Sequence, residues 1–404
     1  MTIFVIFLIL AHWNLSISAR NLVNEAPPAP FYVNVTTGGL FDDLPRCSHT
    51  CSLAVLEYSG CNAVDQACIC GDPQIPHQLD VCFDMYCSLP DYYAGKYSIH
   101  LACHTEVRNR SSMITTTAIT TASIALVAVC LRLVTRTSPF SVRWGADDWV
   151  VIGIAPIAGG QLICLLTMVH YGFGQDIYML SPATVANAAK YFFVSELTFV
   201  ILTFSTKIAI LCFYLRLFPT GEIRKVTYLL IALCATAMVS IFFAHLLQCW
   251  PISHRWRMYL GDNAMHGENP PMCAVDRQGL NFAFSILNLV IEVVIISLPI
   301  PRLLKLQLQW WKKIEVVSIF AFGFVISMIA ITRLSITLTA FYTSNFTYEV
   351  VPVSFWCAIE VYISIFIVCL PQVHLVGKAI TQQCFKSNNI EINKTNDAKL
   401  TYKV

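Results

Sequence analysis

Apolar and polar positions follow two different rhythms along this chain. From residue 113 onward, apolar runs of about 20 residues recur, each broken by a short polar stretch. An α-helix rises ~1.5 Å per residue, so ~20 apolar residues cross the ~30 Å hydrocarbon layer of a bilayer. The runs are 113–133, 149–170, 191–215, 228–249, 280–299, 314–338 and 351–376. They predict seven transmembrane helices over 113–376, followed by a polar tail over 377–404. Before residue 113 the pattern is unlike this. The one apolar run there, residues 3–10, is too short to span and is followed by small residues ending at Ser18 and Ala19. That is the form of a secretory signal peptide over 1–19, although no Lys or Arg precedes its apolar core. Residues 20–39, with "APPAP" and "TTGG", read as a linker.

Charge sets the expected orientation. The loops after the first, third and fifth runs hold Arg136 and Arg143, then Arg216, Arg224 and Lys225, then Arg302, Lys305, Lys312 and Lys313. The tail adds five lysines, whereas the alternate loops hold only Lys190, Arg255, Arg257 and Arg277. The Lys/Arg-rich side is cytosolic by the positive-inside rule, which places the N-terminus outside a plasma membrane. The signal peptide argues for the same orientation independently. Sequons at Asn34, Asn109 and Asn345 then fall outside as candidate glycosylation sites, Asn109 close to the bilayer. Only 12% of the residues are charged and 56% are hydrophobic. Soluble domains carry about 25% charge. The net charge of +2 gives no reason to expect a nucleic-acid partner. The expected surroundings are the lipid bilayer.

Cysteine changes the picture of the N-terminal part. Of 17 cysteines, eight lie between Cys47 and Cys103. A module this short is too small to hold itself with an ordinary core, so it needs cross-links. Outside the cell those cross-links are disulfides. Eight half-cystines allow on the order of a hundred pairings, and spacing alone does not choose among them. Cys68 and Cys70 are one residue apart, unlike a zinc C-x2-C pair, and no thioredoxin-like C-x-x-C occurs. Farther on, Cys249 at the end of the fourth run and Cys273 in the next loop are expected to pair. Cys273 with Cys357 is the alternative.

The order and spacing of the eight cysteines, with "LPRC" at the start and "DQACIC" in the middle, resemble the CFEM domain of fungal extracellular proteins over residues 40–104. The resemblance implies a compact helical fold. It also implies the pairing Cys47–Cys87, Cys51–Cys82, Cys61–Cys68 and Cys70–Cys103. Some members of that family bind haem through an aspartate just before the C-x-C, and Asp65 matches that position. The resemblance therefore makes haem a candidate cofactor, with Asp65 as cofactor-binding residue and axial iron ligand. A carboxylate is a hard ligand suited to ferric iron. Read by itself, Asp65 is equally a turn or helix-cap residue.

The membrane segment carries its own marks. "WGADDW", "KIAILCFYLRLF", "CWPISHRW", "CAVDRQGLNFAFSILNLVIEVVIISLPIPRL" and "SFWCAIEVYISIFIVCLP" are similar, in that order, to the rhodopsin-like integral membrane family of filamentous fungi. In that family a CFEM domain often precedes seven spans. Glu196, Glu292, Arg333 and Glu360 lie inside the apolar runs, where a charge costs ~2.5–3.5 kcal/mol on insertion scales, so they should face the bundle interior. Lys207 is three turns from Glu196 and ~16 Å away along the axis, beyond pairing distance. It is expected to reach the cytosolic interface instead. The aspartates of "ADDW" suit a helix N-terminus. The last run contains no lysine, so a retinal Schiff base there is excluded. No P-loop, zinc-protease helix or nucleophile elbow is present, and no enzyme activity is expected.

These readings define an all-α protein: a small disulfide-rich helical extracellular domain followed by a seven-transmembrane-helix bundle. The resemblance implies a cell-surface receptor resembling G-protein-coupled receptors, with a heterotrimeric G protein as partner and haem or a hydrophobic compound as cue. A haem-binding iron-acquisition protein using Asp65 is the alternative. An adhesion module and a transporter are further classes.

Overall fold

The computed structural model describes residues 44–136, 143–217, 221–260, 272–300, 310–340 and 345–370. The expected signal peptide, linker and tail, and Asn34, lie outside them.

Four helices build the head: α1 Arg46–Ser59, α2 Gln66–Gly71, α3 Gln74–Tyr86 and α4 Leu89–Cys103. Breaker residues separate them. Pro73 immediately precedes α3, and Pro90 sits in the first turn of α4, where a missing N–H is harmless. Ile69, Leu79 and Phe83 are fully buried between the helices. Gly95 lets α4 approach this core: a Cβ there would lie 2.6 Å from the Phe83 ring. Disulfides Cys47–Cys87 and Cys51–Cys82 staple α1 to α3 and its C-terminal cap. Cys61–Cys68 closes the loop into α2, and Cys70–Cys103 joins α2 to the end of α4. This is the pairing the CFEM resemblance implied.

The bundle consists of α5 Ser111–Val134, α6 Ala146–His170, α7 Pro182–Leu217, α8 Glu222–Leu246, the short α9 His254–Arg257, α10 Arg277–Ser297, α11 Trp310–Ala340 and α12 Phe346–Leu370. Six of these (α5, α6, α7, α8, α10 and α12) are long and apolar enough to cross a membrane. α11 occupies the place of the sixth expected run, and its described apolar part is Ala321–Thr337. The protein is thus a multi-pass membrane protein.

More than half of the apolar windows of α7 and α12 are buried against protein, compared with 22–39% in α5, α6, α8 and α10. α7 and α12 therefore form the centre, and the others present more of their surface to lipid. At 36 residues, α7 runs ~54 Å and overreaches a bilayer. α6 and α8 pack along it, and α10 packs on α11. Beyond α8, strands β1 Cys249–Trp250 and β2 Met272–Cys273 pair antiparallel, with Cys249 opposite and disulfide-bonded to Cys273. Cys357 is an unpaired thiol.

The head sits on one end of the bundle. α4 contacts the one-turn helices Ile177–Met179 and Met258–Leu260. The His100 and Tyr178 rings meet at 5.7 Å between centroids.

Candidate functional site: buried ion pairs and a polar cavity

Charged side chains in a bundle of apolar helices must find partners, because lipid offers none. The described residues form five groups that descend from the head to the far end.

The first group lies at residues 104–110, which join the head to α5. Asp176, with no exposed surface, accepts from the Arg108 Nη2 at 2.7 Å and from the Asn345 Nδ2 at 2.7 Å. Asn345 Oδ1 in turn accepts the Ile177 N–H at 3.0 Å. Two guanidiniums approach the Tyr348 ring, Arg108 at 4.3 Å and Arg110 at 4.1 Å from its centroid. Gly174, at φ +110°, allows this junction: its N–H donates to Thr347 and its carbonyl accepts from Arg110. A Cβ there would meet the Ser111 Cα at 2.7 Å. Residues 104–110 are thus a bonded strap and not a loose tether. Two sequons are folded into it. Asn345 is half-buried, and its bonded nitrogen is the atom a glycan would occupy. Asn109 is exposed, but its Oδ1 caps the Ser111 N–H at 2.8 Å. Burial holds the Tyr178 hydroxyl above the usual phenol range, helped by Asp176.

Next comes Glu196 on α7. Arg255 of α9 approaches it to 2.6 Å and Arg277 of α10 to 3.5 Å. Below it, Arg333 of α11 pairs with Glu360 of α12 at 2.7 Å, and Asn288 donates to the same carboxylate at 2.7 Å. Lys207 of α7 pairs with Glu292 of α10. This corrects the expectation that Lys207 reaches the interface. It is 5% exposed, and the charge on the facing helix holds it inside.

At the far end, Arg132 of α5 bonds Asp147 and Asp148, and its Nη1 donates to the Val368 carbonyl at 2.6 Å. Arg136 reaches Asp148 at 2.6 Å, and Arg216 lies 3.9 Å from Asp147. Asp148 also accepts the Gly145 N–H at 2.8 Å, so it caps α6 as expected. Both aspartates are 1% exposed and do more than cap: they lock α6 to α5, and Arg132 carries the link on to α12.

A small cavity of ≈ 40 Å³ lies between the second and third groups. Glu196, His245, Phe284, Arg333 and Cys357 are among the residues that line it.

Asp65 stands apart from all of this, in the head. It is the N-cap of α2, and its Oδ1 accepts the Cys68 N–H at 3.1 Å. Among the described residues, no three His, Cys, Asp or Glu side chains gather to hold a metal ion. A haem needs only one axial ligand from the protein, and Asp65 is exposed with its second oxygen outside the cap. Asp65 is the residue that would hold a haem iron, through the oxygen that does not make the cap.

Comparison with known proteins places this architecture. The family described as fungal rhodopsin domain matches residues 131–378, well over half of the chain. The protein belongs to the fungal rhodopsin domain family. A CFEM domain matches residues 40–104 ahead of it. Relatives of this CFEM–rhodopsin protein are fungal. A SAT4 family membrane protein of Emericella nidulans is 24% identical over 276 residues, which is 65% of this chain and 68% of the relative. Fugralins biosynthesis cluster protein 2 of Gibberella zeae is 29% identical over 171 residues, 41% of this chain and 40% of the relative. Polyenoic acids biosynthesis gene cluster protein Ba17b of Metarhizium anisopliae is 27% identical over 206 residues, 50% of this chain and 53% of the relative. The chain thus spans about two thirds of the first and about half or less of the other two. No solved structure matches it significantly.

Sequence reading singled out Glu196, Glu292, Arg333 and Glu360, and the structure gives each a partner. It missed Asp176, Arg132 and Arg255. Arg132 had a visible signal, since an arginine inside a predicted span needs an acid. Asp176 and Arg255 lie in polar loops, where a charge looks ordinary.

Proposed function

We propose that this protein is a receptor of the fungal plasma membrane, with the CFEM head outside and the Arg132–Asp147–Asp148 end in the cytosol. The observation that carries this reading is the bonded strap. The head is fixed to the bundle through Arg108, Asp176 and Asn345, and further buried ion pairs link the bundle helices to one another. A passive anchor needs none of these connections. A force or ligand on the head would shift the strap, and paired charges favour discrete rearrangements over gradual ones. The cytosolic partner in this reading is a heterotrimeric G protein, and no enzymatic step is required of the chain itself. Haem capture through Asp65 is a narrower proposal with weaker support, because capping α2 already accounts for that aspartate.

The test is nucleotide exchange on a purified heterotrimeric G protein, with the full chain in nanodiscs. Asp147→Asn loosens the cytosolic lock and is expected to raise exchange severalfold above wild type. If neither wild type nor Asp147→Asn raises exchange above the G protein alone, while both remain helical and monodisperse, G-protein coupling is refuted.

A further inference from the structure

Two polar side chains that line the small cavity have hydrogen-bonding atoms without partners among the described residues. His245 of α8 is 1% exposed, and neither ring nitrogen makes a hydrogen bond. Arg333 of α11 is 3% exposed; its Nε donates to Glu360 and its Nη1 to Ser285, but its Nη2 has no acceptor. Both line the same space, together with Glu196 of α7. Glu196 accepts one short bond, from Arg255 at 2.6 Å, and two long ones of 3.5 Å, from Arg277 and Asn281, so its carboxylate keeps capacity for more. Buried polar groups in native proteins are nearly always paired. The lipid around the bundle cannot supply the partners.

The mixture of donors and acceptors states what kind of partner fits. Arg333 Nη2 can only donate, and the Glu196 carboxylate can only accept. A neutral imidazole carries one N–H and one bare nitrogen, so His245 needs an acceptor and a donor. An anion would serve Arg333 but not the bare nitrogen, and it would lie beside the Glu196 carboxylate. A cation would serve Glu196 but face the Arg333 guanidinium. A neutral molecule that both donates and accepts serves all three. Size narrows the choice to the smallest such molecule. The cavity is ≈ 40 Å³, and a buried water needs about 10–15 Å³ with two to four polar partners.

We propose that this cavity is a hydration site, in which about three water molecules bonded to His245, Arg333 Nη2 and Glu196 join α8 to α7 and α11. Arg333 carries the link on to Glu360 of α12. The joint matters for α8, because only 22% of its apolar window is buried against protein. Water-mediated bonds are nearly as favourable as direct ones and re-form when their partners shift, so α8 can move against the centre of the bundle without stranding a buried charge. The site does not depend on the receptor reading.

The experiment uses the full chain in nanodiscs and X-ray radiolysis, in which hydroxyl radicals formed from bound water label the side chains beside it. Labelled residues are read by mass spectrometry and corrected for intrinsic reactivity. Phe284 and Val200, which line the cavity and are 3% and 1% exposed, should be labelled severalfold faster than Phe83 and Leu211, which are buried away from it. His245→Phe should bring that labelling down to the level of Phe83 and Leu211, whereas His245→Gln, which keeps a donor and an acceptor, should preserve it. Wild-type labelling no faster than at Phe83 and Leu211, or undiminished labelling in His245→Phe, would overturn the proposal. Thermal unfolding midpoints of the wild type in chloride and in gluconate give a second reading. Equal midpoints are expected; a saturable rise with chloride that His245→Phe abolishes would put a small anion in place of water and overturn the proposal. If His245→Phe does not fold, the wild-type labelling decides.

Discussion

The head and the bundle are both helical, yet different forces hold them. The head buries a small core of Leu56, Ile69, Ile75, Leu79, Phe83 and the apolar face of α4, and four disulfides restrict its unfolded chain. The bundle has no disulfide between its described membrane-crossing segments. Cys249–Cys273 ties only the loop that joins α8 to α10. Hydrophobic runs place the bundle helices in lipid, and buried ion pairs then fix which helix faces which. The contrast teaches where specificity resides. In the head it is covalent and local. In the bundle it is electrostatic and long-range, so it can rearrange without breaking a bond.

The largest expected effect tests the covalent side. Cys51→Ala/Cys82→Ala removes a staple between residues 31 positions apart and should destabilise the head by about 2–5 kcal/mol. Hydrogen exchange should then show 44–103 opening while α5–α8 stay protected. Equal protection of the head in the variant would break the comparison. Arg333→Met tests the electrostatic side. It strands the buried Glu360 carboxylate and should cost about 3–5 kcal/mol, most of it recovered in Arg333→Met/Glu360→Met. Denaturation midpoints of the three proteins check this; a double variant no better than the single one would show that the pair acts by packing and not by charge.

Asp65 gives a smaller effect. Asp65→Ala removes the α2 cap and should cost about 1 kcal/mol, while Asp65→Asn keeps the cap within a few tenths. Ferric haem titrated into wild type and Asp65→Asn, followed by the Soret band, separates the two roles of this residue. Binding lost in Asp65→Asn makes the carboxylate a ligand; binding absent or unchanged leaves it a cap. The smallest effect concerns pH at the seam. Burial holds the His100 imidazole below its ordinary pKa, against the opposing pull of Asp176. A depressed pKa stabilises the folded contact above the ordinary imidazole range and loses that contribution as pH falls through it. Protection factors of the amides in 89–103, corrected for the intrinsic pH dependence of exchange, should therefore fall between neutral and mildly acid pH in wild type, and less so in His100→Gln. An identical pH response in the two proteins would remove His100 from the seam.

The sequence by itself determined the division at about residue 110, the helical character of both parts and the places of the membrane segments. Each depends on local composition: an apolar run of span length is a helix in lipid wherever it sits, and clustered cysteines cross-link a small module. It also marked Glu196, Glu292, Arg333 and Glu360 as interior, because a charge in an apolar run has nowhere else to go. Partnership was decided only by the tertiary structure. Lys207 finds Glu292 across 85 positions, Asp176 finds Asn345 across 169, and Arg132 finds the Val368 carbonyl across 236. Hydropathy states how far a residue sits along a helix axis but not which way it faces around it. Coulomb attraction falls with distance and is strong only where water is excluded, so the packing of helices chooses the pairs.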